Sequence, residues 1–213
     1  SADTQTRKFE LAEHLDVDPD SAALLRDAAG AAVVRNGPLT GIAHYRGMSR
    51  FRVNTQVNGA VISSGGPNWM DPPLSYAPAA HLESLEVVRG IASVSAGQET
   101  IGGAIKANTW RGEFADDGVL VRGRMRAGHN SADDSQVWSA TSSIASDTNL
   151  LLLSGITEEG HDAQFPGGDI LPTRYERDRF DVGYGLRLGE HTLRFDYGRS
   201  ETGRAGTPAL PMD

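Results

Sequence analysis

From residue 118 onward, apolar and polar side chains alternate almost one for one. GVLVRGRMRAG (118–128) sets Val119, Val121, Met125 and Ala127 on one face, with Gly123 among them, against Arg122, Arg124 and Arg126 on the other. RFDVGYGLRLG (179–189) sets Phe180, Val182, Tyr184, Leu186 and Leu188 against Asp181, Gly183, Gly185 and Arg187. TLRFDYGR (192–199) sets Leu193, Phe195 and Tyr197 against Arg194 and Asp196. Successive side chains of a strand point to opposite faces, so a period of two predicts strands here. Two weaker segments, QVWSATSSIAS (136–146) and NLLLLSGIT (149–157), lie between and complete a set of five.

The first half has no such rhythm. Residues 1–19 are polar, carry no strong period and are expected to form an arm. In DPDSAALLRDAAGAAVVRNG (18–37), Asp20 or Ser21 caps a short predicted helix through Leu24, Leu25 and Ala28, with Gly30 ending it. A strand at Ala32–Val34 follows. RFRVNTQVNGAVI (50–62) alternates around Val53, Thr55 and Val57, and its Asn58-Gly59 pair predicts a tight hairpin. PAAHLESLEVVRG (78–90) begins as a helical turn and becomes a strand at Leu85–Val88; ETIGGAIKANTW (99–110) holds another strand after a glycine pair. Short pieces of both kinds predict a compact α+β unit over residues 20–112, with the five strands in 113–213.

The chain has 213 residues, of which 25 are glycine and 7% aromatic, a composition that favours strands and turns over helical bundles. A net charge of −8 with no basic stripe excludes nucleic acid as a partner. There is no cysteine, hence no disulfide or thiolate ligand. No apolar run approaches the about 18 residues of a membrane helix. Membrane strands are not excluded in this way, because their alternation keeps hydropathy low. The five segments, each of roughly 9–13 residues, are long enough to cross a bilayer at a tilt. Their connections alternate: HNSADD (129–134) is intermediate, SDTN (146–149) and LGEH (188–191) are tight, residues 158–176 are long, and an open loop is expected from 201. A soluble β-sandwich alternates in the same way; three arginines on one face of one strand favour a wet barrel lumen.

The α+β unit resembles the plug domain of TonB-dependent outer-membrane receptors. The residues that carry this are the helix SAALLRDAAGAAVVRNG, the Arg-Gly turn in GIAHYRGMSRFRV, QVNG with Asn58 in place of the usual Asp, and HLESLEVVRGIASVSAGQETIGGAIKANT, with Glu83, Glu86, Val87, Arg89 and Gly90 in order and the pair Gly102-Gly103. Ile91 and Ala96 depart from a usual Pro and a common Tyr. The resemblance implies a plug followed by the first five strands of a 22-stranded antiparallel barrel, an N-terminal fragment whose barrel is completed elsewhere. It implies the outer membrane, its lipid and lipopolysaccharide as surroundings, the TonB–ExbB–ExbD motor as partner, import as function, no catalysis and no cofactor. It also implies that Arg46, Glu83, Glu86 and Arg89 are plug charges that meet barrel charges.

SSGGPNWMDPPLSY (63–76) falls where plug loops face outward and touch ligand. PNWMDPPLSY, with GTPALPMD near the end, is similar to the copper receptors of this family. There a cysteine stands four residues before the methionine; here that position is Gly66. Trp69, Met70, Asp71 and Asn68 are the expected ligand residues, with copper as a possible transported substrate held by Met70, since soft donors select Cu(I). A siderophore or other small organic ligand remains open, because Gly66 leaves room where a thiolate would be. Among six histidines, His129 and His161 lie in expected external loops and are candidate metal ligands beside Met70. No Ser/His/Asp elbow, EF-hand spacing or phosphate loop is present. A secreted β-rich hydrolase or adhesin is the alternative of a different class; it requires the Phe180/Tyr184 and Phe195/Tyr197 faces to pack under a second sheet.

Overall fold

A computed structural model of the chain describes residues 6–10 (backbone alone), 18–39, 41–64, 69, 71–88 and 102–208. The chain divides into two units, residues 1–109 with 207–213, and residues 110–206.

In the first unit a five-stranded sheet has the order β1-β7-β8-β5-β6. Its members are β1 (Thr6–Glu10), β5 (Asn54–Val57), β6 (Ala60–Val61), β7 (Leu82–Val88) and β8 (Ala104–Thr109). Only β5 and β8 run parallel. A separate meander joins β2 (Ala31–Arg35), β3 (Gly41–Tyr45) and β4 (Met48–Ser49). The expected arm is thus not wholly free of structure: Thr6–Glu10 pairs antiparallel with β7 and covers an edge that would otherwise expose a row of unpaired amides.

The predicted helix forms as a 3-10 helix, Ser21–Asp27, with Asp20 as N-cap accepting from the Ala22 N–H at 3.0 Å. It ends earlier than expected, because Ala28 is already extended; Gly30, at φ +83°, makes the turn into β2. Gly41 lies so close to this cap that a Cβ there would collide with the Asp20 carboxylate. Leu24, Leu25, Tyr45, Val53, Leu74, Leu82, Leu85, Val87 and Ile105 form the core that both layers share.

The Asn58-Gly59 hairpin is a two-residue turn with both residues at positive φ, +52° and +84°. Asn58 also explains its own departure from Asp. Its amide donates to Thr109 Oγ1 at 2.9 Å while its carbonyl accepts from the Thr109 N–H at 2.9 Å, and a carboxylate offers no such donor. Strand β5 buries Asn54 and Gln56 as well as Thr55, so the alternation seen in its sequence does not separate a wet face from a dry one.

The second unit is an antiparallel meander, β15-β14-β11-β10-β9, each strand paired with its chain neighbour. The strands are β9 (Leu120–Asn130), β10 (Ser135–Ala145), β11 (Asn149–Gly160), β14 (Tyr175–Leu188) and β15 (His191–Ala205). All five expected strands are present, and β11, β14 and β15 run longer than the alternation alone marks. The long connection is therefore 161–174, and it carries a small hairpin, β12 (Ala163–Phe165) with β13 (Gly168–Ile170), that the pattern did not foretell. The open loop expected from 201 begins only after Ala205. Tight turns at 146–148 and 189–190 mark one end of the sheet; 131–134 and 161–174 mark the other.

The register aligns Met125, Ala140, Gly155, Phe180 and Arg199 across one face, and Leu151, Tyr184 and Phe195 lower on the same face. This face is apolar and open: Met125 is 83% exposed, Phe195 65%, Phe180 52% and Tyr184 42%. Among the described residues of this unit no second sheet covers it, whereas the β-sandwich alternative requires one. The opposite face buries Ser139, Thr141, Ser143, Ser154 and the cross-strand ion pair Glu158–Arg177. Residues 110–115 lie along that polar face as a strap. Trp110 and Phe114 pack against Ala145, Leu150 and Leu152, and Gly185 clears the Phe114 ring. Arg124 stacks over Trp110 at 5.6 Å and Arg187 over Phe114 at 4.4 Å. Arg122 pairs with Glu113, and Asp196 with Arg111. The arginines expected to face a wet interior do lie opposite the apolar face.

Candidate functional site

The loop that leaves β6 is held at three places. Its base is fastened to the 3-10 helix by the Ser21 hydroxyl, which donates to the Leu74 carbonyl at 3.0 Å, while the Leu74 side chain is buried in the core. Pro72 and Pro73 preset the backbone for a short 3-10 turn, Pro73–Tyr76, closed by Ser75 N–H to Pro72 O at 2.9 Å. Across the loop, Asp71 accepts from the Ser64 hydroxyl at one oxygen and from the Tyr76 hydroxyl, at 3.2 Å, at the other. The two limbs of the loop are thereby clamped through one carboxylate. Partial burial first, then the hydrogen bond to Asp71 and its negative charge, raise the Tyr76 hydroxyl above its ordinary pKa, which keeps it a donor.

Trp69 sits at φ +57°, a left-handed conformation rare for a bulky side chain. Its ring meets Phe51 edge to face, centroids 5.3 Å apart and planes at 79°. Of the four residues expected to touch ligand, the structure places Trp69 against Phe51 and Asp71 inside the loop as its clamp. Asn68 and Met70 lie outside the described residues. Phe51, Ser64 and Tyr76 escaped sequence reasoning: they are 5 to 18 positions from their partners, and no periodicity links them.

His129 was expected in a loop but lies near the end of β9, paired with Gln136, while His161 opens the connection after β11; both face Asp134. His129 Nδ1 is 3.7 Å from one carboxylate oxygen and His161 Nδ1 is 3.9 Å from the other. The connections 131–134 and 161–174 are stitched by His161 N–H to Asp133 O at 2.8 Å and Gln164 N–H to Ala132 O at 3.0 Å. Among the described residues no group of three acidic or histidine side chains is arranged to hold a metal ion. Asp134 was the residue missed, inside the acidic HNSADD run that gave no ligand spacing.

Three of the four plug charges expected to meet barrel charges lie among the described residues. Arg46 is an exposed turn residue at φ +50°, Glu83 is exposed on β7, and Glu86 is half-buried opposite Lys106 in register. Among the described residues these three form no ion pair. Arg89 lies outside the described residues.

Residues 12–104 match the family model of the TonB-dependent receptor plug domain. No curated protein sequence matches the chain. Among solved structures, the copper transporter OprC is similar at 23% identity with a TM-score of 0.80, covering 95% of this chain and 32% of that one. The FrpB iron transporter from Neisseria meningitidis is similar at 16% identity and a TM-score of 0.73, covering 94% and 32%. The ferric enterobactin receptor PfeA is similar at 17% identity and a TM-score of 0.68, covering 93% and 33%. The chain spans about a third of the length of each.

Proposed function

We propose that this chain, whose residues 12–104 match the TonB-dependent receptor plug domain and are followed by antiparallel strands of the receptor-barrel fold, is part of an outer-membrane receptor that serves active import of a scarce metal, as copper or as a metal chelate, with the plug gating the barrel. The observation that carries this is the pairing of the matched plug with a sheet whose apolar face is bare and whose polar face is lined with arginines. Hydrocarbon satisfies the first face and water the second.

The proposed work is mechanical, with no bond made or broken on this chain. Ligand reaches the clamped loop of Trp69 and Asp71 from outside and shifts the plug's population. The TonB–ExbB–ExbD motor of TonB-dependent receptors then draws on the N-terminal arm. Because β1 is an edge strand held only to β7, traction from its N-terminus peels it off before any core residue moves. The copper choice is supported by the wording PNWMDPPLSY and by the likeness to OprC. The siderophore choice is supported by Gly66, which removes the thiolate, and by the likeness to the ferric enterobactin receptor PfeA.

The test is accumulation of copper and of a ferric siderophore in cells carrying the full receptor, with and without TonB. Accumulation is expected to need TonB and to stop when residues 1–19 are deleted. Met70→Ala is expected to lower copper uptake alone if copper is the cargo. Uptake that is equal without TonB overturns the proposal.

A further inference from the structure

The Asn58-Gly59 turn carries chemistry as well as geometry. An asparagine followed by glycine is prone to lose its side-chain amide in water, because no side chain shields the glycine nitrogen that attacks it; asparagine counts among the thermolabile residues. Both residues are exposed, and a Cβ built on Gly59 would meet nothing within 4 Å, so the space around the attacking nitrogen is open.

What restrains the reaction is β8. The Asn58 N–H donates to Ala107 O at 2.9 Å. The Asn58 side-chain amide donates to Thr109 Oγ1 at 2.9 Å, while its carbonyl oxygen accepts from the Thr109 N–H at 2.9 Å and from the Thr109 hydroxyl at 3.1 Å. Both substituents of Cγ, the carbon to be attacked, are therefore held by one residue. The turn itself is held by the pairs Gln56↔Val61 and Val57↔Ala60, with both central residues at positive φ. Attack requires the Asn58 side chain to leave Thr109 and the Gly59 peptide to leave its place in the turn.

We infer that Asn58 is a site of spontaneous deamidation, held shut by the Thr109 clasp while β5 lies on β8 and released when traction parts the two strands. The step needs only water. The Gly59 nitrogen gives up its proton and bonds to Cγ; the side-chain nitrogen leaves as ammonia, and a five-membered imide remains. Water then opens the imide at either carbonyl. Opening at Cγ leaves an aspartate in an unaltered main chain, the residue that plug domains usually carry here. Opening at the main-chain carbonyl leaves an isoaspartate, which lengthens a two-residue turn by one methylene and disturbs the Val57–Ala60 pairing. The sheet order puts the clasp deep, because β7 lies between β1 and β8. Peeling β1 alone leaves Asn58 bound, so the modification marks receptors whose opening has passed β7. This marking role rests on the import reading, in which traction enters at the N-terminal arm; the clasp itself does not.

The full receptor, purified in detergent and free of TonB, is held in mildly alkaline buffer, and aspartate and isoaspartate at position 58 are followed by mass spectrometry. A synthetic peptide of residues 54–62 is the unrestrained reference. Wild type is expected to react at least about tenfold more slowly than the peptide. Thr109→Val, which keeps the N–H and the shape but removes the hydroxyl, is expected to react about fivefold faster than wild type, the population change that one net hydrogen bond allows. Thr109→Ala is a second measure of the lost hydroxyl, and Thr109→Ser, which keeps it, stays at the wild-type rate. Protease resistance of the plug shows that each variant is folded. A wild-type rate equal to that of the peptide, or folded Thr109→Val and Thr109→Ala receptors that match wild type, overturns the clasp. In cells, receptor from a strain with TonB is expected to carry several-fold more deamidation at Asn58 than receptor of the same age from a strain without it. Equal levels overturn the marking role. The import reading is judged apart, by accumulation of cargo: it stands if accumulation needs TonB although the levels are equal, and it falls if accumulation is independent of TonB, whatever the deamidation rates.

Discussion

The two units use the same apolar residues for opposite ends. In the plug, Leu25, Leu82 and Leu85 are fully buried against one another. In the strand unit, Leu151, Leu153, Phe180 and Phe195 point outward, while the other face buries serine, threonine and the Glu158–Arg177 pair beside a small apolar patch of Ala145, Leu150 and Leu152 under the strap. A leucine is placed according to its solvent: water drives it inward in the plug, and a bilayer leaves no reason to hide it in the sheet. Burial alone would read the second unit as inside out; read against hydrocarbon, it is ordinary.

Swapping the same residue in both units breaks the comparison most directly. Leu85→Ala in the plug is expected to cost about 2–5 kcal/mol, since it empties a packed core site. Limited proteolysis of the assembled receptor should then cut the plug while the barrel keeps its heat-modifiable migration. Leu153→Ala on the open face is expected to change neither, because lipid fills the space. If Leu153→Ala destabilises the receptor as much as Leu85→Ala does, that face is covered by protein.

A charge sharpens the point at a slightly smaller scale. Leu153→Arg is expected to cost about 2–4 kcal/mol near the bilayer midplane and to lower the assembled fraction in outer membranes. Ser154→Arg, one residue along and facing the polar side, carries no lipid penalty, though it crowds a buried position. Quantifying the assembled fraction of the pair, with Ser154→Lys as a second probe of the polar side, checks this. An assembled fraction for Leu153→Arg equal to that of Leu153→Ala would overturn the assignment of that face to lipid.

The same contrast explains what was legible. The sheet was readable because period two survives in the residues themselves: Val121, Met125, Phe180, Tyr184 and Phe195 declare one face without help from any partner. The Asn58-Gly59 hairpin was readable because the backbone demands those residues. The clamp of Asp71 by Ser64 and Tyr76, and the rest of Trp69 on Phe51, were not readable, because each depends on where the fold returns the chain. Asp71 looked like a ligand residue from its place in the loop, and its oxygens are engaged in holding that loop. The strap at 110–115 was missed for a further reason. Trp110 and Phe114 carry no period, and their role appears only once Arg124 and Arg187 arrive from β9 and β14.

The smallest expected effect concerns the connection 161–174, whose far end is tied back by one carboxylate. Asp162 accepts from the Thr173 N–H at 2.8 Å and the Arg174 N–H at 3.0 Å. The hydrogen bond from Thr173 is the largest cause that lowers its pKa below the ordinary carboxylate value; the hydrogen bond from Arg174, the Arg174 charge and His161 add to it. A depressed value in the folded state means that the contribution is present above the unfolded value of about 3.9 and is lost as pH falls through the lower, folded one. Hydrogen exchange at Thr173 and Arg174, corrected for the intrinsic rate at each pH, should therefore stay slow at neutral pH and quicken below about pH 4. Asp162→Ala should exchange fast throughout, with no inflection. The β14–β15 turn at 189–190, which has no such clamp, should show no step in the same titration. An equal step at both connections would mean that acid loosens the whole sheet, and the difference between a clamped and an unclamped connection would then vanish.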